Sequence, residues 1–216
     1  AGRADHTRHS PAAVVDLDQH HQLTRRAAAE SAVLLVNDGT LPLNLQTTQR
    51  LAVVGELART PRYQGAGSSA VNPTRVVSGL DALTRRAETF GGTVQFAPGY
   101  TLNAVPADPE LIAAARDAAS TADVVVLFLG LPGQYEAEGR DRTSIDLPDN
   151  QIALLQALAG ADAPTVVALS NGSAVTTASW RQGVSAIVEF WLTGQAHGDT
   201  IADVLLGDVN PSGKLA

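Results

Sequence analysis

Asp123-Val-Val-Val-Leu-Phe-Leu129 is an unbroken apolar run, and Gln134-Tyr-Glu-Ala-Glu-Gly-Arg-Asp-Arg142 follows it closely. An apolar run without alternation predicts a strand buried on both faces, as in a mostly parallel sheet covered by helices. Ligands of such sheets gather in the crevice beyond the carboxyl ends of the strands. Carboxylates and guanidiniums concentrated at that edge indicate proton chemistry on a polar, uncharged substrate. The alternative is a solvated, charge-rich loop.

The rest of the chain alternates between apolar runs and amphipathic segments. Helix signals include Asp18 as a possible N-cap of the first helix, Asp108-Pro109 at the start of another and Gly207 at the end of the last. Strands are predicted at 32–36, 50–55, 93–97, 123–129, 165–169 and 185–191, and helices at 17–30, 78–89, 108–119, 146–159 and 200–206, with a short helix ending at Trp180. The prediction is an α/β fold in which helices sandwich a mostly parallel sheet of about six strands. Residues 1–17 are expected to be an irregular leader or linker, and 18–216 one domain.

Composition narrows the function classes. The net charge of −7 and the pI near 5.1 argue against nucleic acid as a partner, because no basic stripe is present to neutralise phosphates. No apolar run approaches the roughly 20 residues of a membrane span. Cysteine is absent, which excludes disulfides and thiolate metal sites. The first residue is not methionine and no signal-peptide core follows, so we expect an internal piece of a longer protein, whose compartment the sequence does not specify.

Several familiar motifs fail on inspection. Gly207–Lys214 is one residue too long for a phosphate-binding P-loop and lacks its Ser or Thr. Gly65–Ser69 lies too far from its strand for a dinucleotide loop, and no Gly-x-Ser-x-Gly elbow occurs. His197 near Asp199 is better explained as a surface or hydrogen-bonded residue than as a catalytic base. The glycosylation sequon Asn171-Gly-Ser173 falls at a strand end.

The remaining signals match a known family in order along the chain. The matching segments are Glu30–Leu43, Gly65–Ser69 with Asn72-Pro73, Glu136–Pro148 with Asn150-Gln151, Gly194-Gln195 and Ile201–Leu215. Together they resemble the second domain of glycoside hydrolase family 3, from about residue 18 to the end. Arg140 and Ala196-His197 depart from the usual pattern of that family.

The resemblance implies a retaining β-glycosidase, most often a β-glucosidase, that hydrolyses terminal non-reducing β-D-glycosyl residues. A preceding (β/α)8 barrel would carry the nucleophilic Asp, and this α/β-sandwich domain would supply the general acid/base. The family's Glu before Gly falls on Glu138, with Glu136 as the alternative. Substrate-binding or loop-shaping roles are expected for Gly67, Ser68, Ser69, Asp141 and Arg142, the last two as an ion pair.

Retaining hydrolysis needs two carboxyl groups about 5–5.5 Å apart, one as nucleophile and one as a protonated acid. Burial or a neighbouring carboxylate raises the pKa of such an acid. The expected partners are a β-glycoside or oligosaccharide and the barrel domain, and the reaction requires neither metal nor organic cofactor. The chain alone is expected to be inactive. The competing hypothesis is a non-catalytic α/β module that binds carbohydrate or packs against a partner domain.

Overall fold

A computed structural model describes residues 15–103, 106–139 and 141–215, so most of the predicted leader lies outside the described residues. The described strands are β1 (Val33–Asn37), β2 (Arg50–Val54), β3 (Thr93–Ala97), β4 (Val124–Gly130), β5 (Thr165–Ser170) and β6 (Ala186–Glu189). The described helices are α1 (Leu17–Ser31), α2 (Glu56–Arg59), α3 (Gly79–Thr89), α4 (Pro109–Ser120), α5 (Asp149–Leu158) and α6 (His197–Leu205). Within these residues, no helix is both long and apolar enough to cross a membrane.

The six strands form one sheet in the order β1-β6-β5-β4-β2-β3. Five of them run parallel, and β1 pairs antiparallel with β6 at one edge. The chain moves outward from β2 to β3 in one direction, then returns across β2 to β4 and continues through β5 to β6. The strand order therefore reverses between β2 and β4, and the crevice at such a switch point is where open α/β sheets bind ligands.

The central strands are buried because helices cover both faces of the sheet. Every residue of β4 and β5 is buried, which confirms that their unbroken apolar runs indicate central parallel strands. Helices α1 and α3 pack against α6, while α4 packs against α5. Right-handed crossovers place α3 on one face and α4 with α5 on the other, since the chain moves in opposite directions across the sheet. The predicted α/β sandwich with about six strands is confirmed.

The starts of α1, α3 and α4 follow capping signals, with one correction. Asp16, and not Asp18, caps α1: its carboxylate accepts from the amides of Asp18 and Gln19, both at 3.0 Å. Ser78 caps α3 through the Asp81 amide, and Asp108 caps α4 ahead of Pro109. A side-chain oxygen that satisfies otherwise unpaired amides of the first turn stabilises a helix by about 1 kcal/mol.

Four other predicted elements are wrong in part or in whole. Strand β6 spans Ala186–Glu189 rather than 185–191. The short helix ending at Trp180 is replaced by turns and a 3-10 turn at Arg181–Gly183. The preceding segment contains Val175, Thr176 and Thr177, whose branched side chains disfavour a helix.

Helix α5 begins at Asp149 rather than 146, because Pro148 is extended with ψ of 142° and a residue that precedes proline disfavours helical backbone. Helix α6 begins at His197 rather than 200, directly after a 3-10 turn at Gly194–Ala196.

Candidate active site

The loops after β2 and β4 meet at the switch point of the sheet. The Ser68 hydroxyl, in the loop after β2, donates a 2.5 Å hydrogen bond to Oε2 of Glu138, in the loop after β4. The Ser68 amide lies 3.4 Å from the same oxygen. Glu138 itself is exposed. The structure therefore brings together the two segments that the sequence singled out separately, and it leaves the Glu138 carboxylate open to the crevice.

Two glycines permit this meeting. Gly67 and Gly139 have φ values of +71° and +76°, in the left-handed region that other residues seldom adopt. A Cβ atom on Gly67 would lie 3.3 Å from Oε2 of Glu138, tighter than an ordinary contact. Ser69 holds the turn from within, since its hydroxyl donates to the Ala66 carbonyl at 3.0 Å. Glycine at these positions thus lets the backbone of one loop approach the carboxylate of the other.

The hydrogen bond from the Ser68 hydroxyl, followed by the one from its amide, lowers the pKa of Glu138 below its ordinary value. A donor that bonds the charged form of a carboxyl favours that form. Within this chain Glu138 is therefore a carboxylate, the form required of a base. An acid role requires the opposite shift, which has to come from groups that cover the crevice.

Glu136, unlike the exposed Glu138, is held by hydrogen bonds through both carboxylate oxygens. Its Oε2 accepts from the Gly172 amide at 2.8 Å, and its Oε1 accepts from the Ser173 hydroxyl at 2.5 Å. The guanidinium of Arg62 lies 3.7 Å from Oε2, and both side chains are only 10% exposed. Both carboxylate oxygens of Glu136 are thus occupied by the loop after β5, so this residue holds the acidic loop in place.

Arg62 is a part of the site that the sequence did not reveal. It lies in the loop after β2, yet its Nε donates to the Leu131 carbonyl in the loop after β4, at 3.2 Å. Its Nη1 donates to the Gln64 carbonyl of its own loop. Together with the contact to Glu136, these bonds tie the two loops together.

The expected ion pair between Asp141 and Arg142 is wrong. Arg142 donates instead to the Ser173 hydroxyl at 2.7 Å and to the Ala174 carbonyl at 2.8 Å. Among the described residues, Asp141 makes no ion pair within 4 Å; its side chain is exposed and lines a cleft of about 440 Å³. Arg142 therefore fastens the acidic loop to the loop after β5. Arg140 lies outside the described residues.

Glu189 and Asn171 form a buried polar pair behind this loop. Asn171 is fully buried and Glu189 is 3% exposed. Oε2 of Glu189 accepts from Nδ2 of Asn171 at 2.9 Å, and Oε1 accepts from the Trp191 amide at 2.8 Å. Burial raises the pKa of Glu189 to about 7, although the bonds from Trp191 and Asn171 oppose the increase. The signal that could have revealed Glu189 is a carboxylate inside an apolar run, 185–191.

The histidine and the sequon are explained by burial. His197 is fully buried, and its Nδ1 lies 2.7 Å from the Thr193 hydroxyl. Burial lowers the pKa of His197 to about 4. Asp199 bonds Arg85 instead, at 2.8 Å, so it does not orient His197 as a base. The buried amide of Asn171 leaves no accessible acceptor for glycosylation.

Comparison with known families places most of the chain in one of them. Residues 32–216 match the Glycosyl hydrolase family 3 C-terminal domain. The exo-α-(1→6)-L-arabinopyranosidase of Bifidobacterium longum is 50% identical over 209 residues, which is 93% of this chain and 27% of that protein. Thermostable β-glucosidase B of Acetivibrio thermocellus is 47% identical over 205 residues, which is 93% of this chain and 26% of that protein.

Solved structures agree. The crystal structure of a family 3 β-glucosidase from Bifidobacterium adolescentis superimposes with a TM-score of 0.89 at 48% identity, over 96% of this chain and 30% of that one. The chain thus spans between about a quarter and a third of the length of these proteins.

Proposed function

The chain belongs to glycosyl hydrolase family 3, as its C-terminal domain, and we propose that it supplies the general acid/base of a retaining β-glycosidase, Glu138. The nucleophilic Asp belongs to a (β/α)8 barrel domain of the same protein. The substrate is a β-glycoside or oligosaccharide, cleaved at its terminal non-reducing β-D-glycosyl residue, and the enzyme is a β-glucosidase. The position of Glu138 carries the proposal: it is an exposed carboxylate on a tight turn at the switch point of the sheet, fixed through one oxygen by Ser68.

The proposed chemistry uses the two ionisation states of Glu138 in turn. In the first step the barrel carboxylate attacks the anomeric carbon, the glycosidic C–O bond breaks, and Glu138 gives its proton to the leaving oxygen. In the second step Glu138 takes a proton from water, whose oxygen attacks the same carbon and releases the barrel carboxylate. The hydrogen bond from Ser68 favours the second state. Burial of Glu138 beneath the barrel and substrate, near a second carboxylate, favours the first.

The exposed apolar side chains of the site support a partner at this edge. Val71, in the loop after β2, is 68% exposed, and Ile145, after β4, is 62% exposed. Both lie on the loops that meet at the crevice. A covering barrel would bury them and close the site to bulk water, and exclusion of water strengthens electrostatic interactions inside a site.

Glu138→Gln in the full-length enzyme tests the proposal. We expect the hydrolysis of substrates with poor leaving groups to fall by about 10²–10⁴-fold, the usual cost of losing an acid/base group. Activated aryl glycosides need less protonation and should fall less, and azide should partly restore their turnover because it attacks without a base. The assay should include aryl β-D-glucosides and α-L-arabinopyranosides, because the named relatives include a β-glucosidase and an arabinopyranosidase.

Glu136→Gln is the matched comparison, since it removes the neighbouring carboxylate. Its expected signature is a loss without azide rescue, because Glu136 holds the loop. A normal rate for Glu138→Gln with an azide-rescued collapse for Glu136→Gln would transfer the role to Glu136. Normal rates for both variants would favour the non-catalytic carbohydrate-binding or domain-packing module.

A further inference from the structure

A continuous chain of hydrogen bonds runs from the core strand β6 to the acidic loop. It begins at Glu189, passes to the Asn171 amide, and continues from Nδ2 of Asn171 to the Ser173 carbonyl at 2.9 Å. The Ser173 hydroxyl and the Gly172 amide then hold the two oxygens of Glu136. Glu136 lies two residues before Glu138. The polar chain thus connects a buried strand end to the proposed acid/base.

Burying a carboxyl group at the position of Glu189 costs free energy. The other residues of β6 are Ala186, Ile187 and Val188, all fully buried. A polar group buried there costs free energy unless each of its atoms is hydrogen-bonded, and an apolar side chain of similar size avoids that cost. Both oxygens of Glu189 are bonded, one to Asn171 and the other to the Trp191 amide. The bond from Asn171 to Glu189 fixes the orientation of the Asn171 amide.

We propose that Glu189 and Asn171 are positioning residues, which fix the Asn171–Ser173 turn so that it holds Glu136 and thereby places the carboxylate of Glu138. This inference rests on the proposed acid/base role of Glu138. Neither residue reaches the crevice, because both are buried. Each acts through the turn after β5.

The geometry explains why an amide is needed at 171. Both hydrogens of the Asn171 Nδ2 group are used, one toward Glu189 and one toward the Ser173 carbonyl. The turn they stabilise presents an amide and a hydroxyl to the same carboxylate. The Arg62 guanidinium, in the loop after β2, adds a contact of 3.7 Å to Oε2 of Glu136. A displacement of about 1 Å at a reacting group can cost about 10²-fold in rate, so a loosened turn should be visible in the chemistry.

The test uses the full-length enzyme carrying Asn171→Ala, Glu189→Gln or Ser173→Ala. Ser173 is only half-buried, so Ser173→Ala should fold even where a buried replacement does not. For aryl glycosides with poor leaving groups we expect kcat to fall by about 10–100-fold, while KM changes by less than about threefold. Activated aryl glycosides should be affected much less.

Val166→Ala is the control for lost stability. Val166 is fully buried at the opposite end of β5, so its truncation weakens the core without touching the polar chain. We expect this variant to melt at a lower temperature with the wild-type dependence on the leaving group. A dependence that changes equally in Val166→Ala and Asn171→Ala would show a merely structural role and overturn the inference.

A double variant separates this inference from the proposed function. If Asn171 acts by placing Glu138, Asn171→Ala should cause no further loss in a Glu138→Gln background, because coupled residues are not additive. An undiminished loss in that background would overturn the positioning role while leaving Glu138 as the acid/base. If Glu138→Gln alone leaves poor substrates unaffected, the proposed function fails, and the positioning role fails with it.

Discussion

Glu189→Gln is expected to change how the stability of this chain depends on pH. Burial raises the pKa of Glu189 from 4.5 to about 7. The folded state therefore keeps this proton in a range where the unfolded state has already released it. The resulting stability is fully present below pH 4.5 and is lost as the pH rises through about 7. At about 1.4 kcal/mol per pH unit, the whole effect amounts to about 3 kcal/mol.

A second buried group opposes this effect in the wild-type chain. Burial lowers the pKa of His197 from 6.5 to about 4. Its contribution therefore has the opposite sign: it is present above pH 6.5 and is lost as the pH falls through about 4. Because the two windows overlap and the two shifts are similar in size, the wild-type profile between pH 4.5 and pH 6.5 should be nearly flat. The substitution at Glu189 removes one of the opposing contributions and leaves the other.

The measurement is the free energy of unfolding in urea at several pH values, for the purified wild-type and Glu189→Gln chains. Relative to wild type, the variant should gain about 2–3 kcal/mol as the pH rises from about 5 to about 8. The comparison between the two chains cancels every other titrating group, His197 included. A difference that stays constant within about 0.5 kcal/mol over this range would show that the pKa of Glu189 is not raised. A difference of opposite slope would show that it is lowered.

Three further outcomes are expected. Ser68→Ala should raise the pKa of Glu138 and move the alkaline limb of the kcat/KM profile of the full enzyme to higher pH, whereas Ser68→Thr should not. An alkaline limb that does not move in Ser68→Ala would show that Ser68 does not set the pKa of the catalytic acid. Asp141→Ala should reduce activity with little loss of stability, because its side chain is exposed; a large fall in melting temperature with normal activity per folded molecule would make Asp141 structural. The 216-residue chain alone should fold cooperatively and hydrolyse no aryl β-glucoside; turnover that disappears in Glu138→Gln would require a nucleophile within this chain.

The sequence predicts the centre of the fold better than its edges. The strands β2, β4 and β5 contain continuous apolar runs, at 51–54, 124–129 and 166–169, because helices cover both faces, and that pattern is visible residue by residue. The antiparallel direction of β1 is not visible. The direction of β1 depends on the path of the chain through residues 38–49. The pattern of apolar and polar residues along a strand carries no information about that path. The sequence predicts Asp18 as the cap of α1, but Asp16 caps it, because only the backbone path shows which carboxylate faces the free amides of the first turn.

The same limit applies to the site. Glu138 and the loop at Gly67–Ser69 could be identified from local signatures, and their meeting follows from the reversal of strand order between β2 and β4. Glu189 is visible only as a carboxylate inside an apolar run, and the partnership between Asn171 and Glu189 is not predictable, because it joins segments that are distant in sequence. Adjacency also misleads: Asp141 and Arg142 carry opposite charges side by side, yet Arg142 bonds the loop after β5 instead.

The two glutamates of the acidic loop have opposite environments, and a proton-transfer group requires that difference. In the proposed mechanism Glu138 changes its charge twice in each catalytic cycle, which requires it to be open to a covering domain and not to have both oxygens fixed. A carboxylate with such freedom does not hold its own position. Glu136 can hold it, because both its oxygens are bonded and its own charge need not change. Two residues along the loop, the bonds that the described residues make to Glu138 reach one oxygen only, and both come from Ser68. Glu136 thus fixes the loop, and Glu138 is left free to react. Exchanging the environments of the two carboxylates should abolish both the fixed loop and the proton transfer.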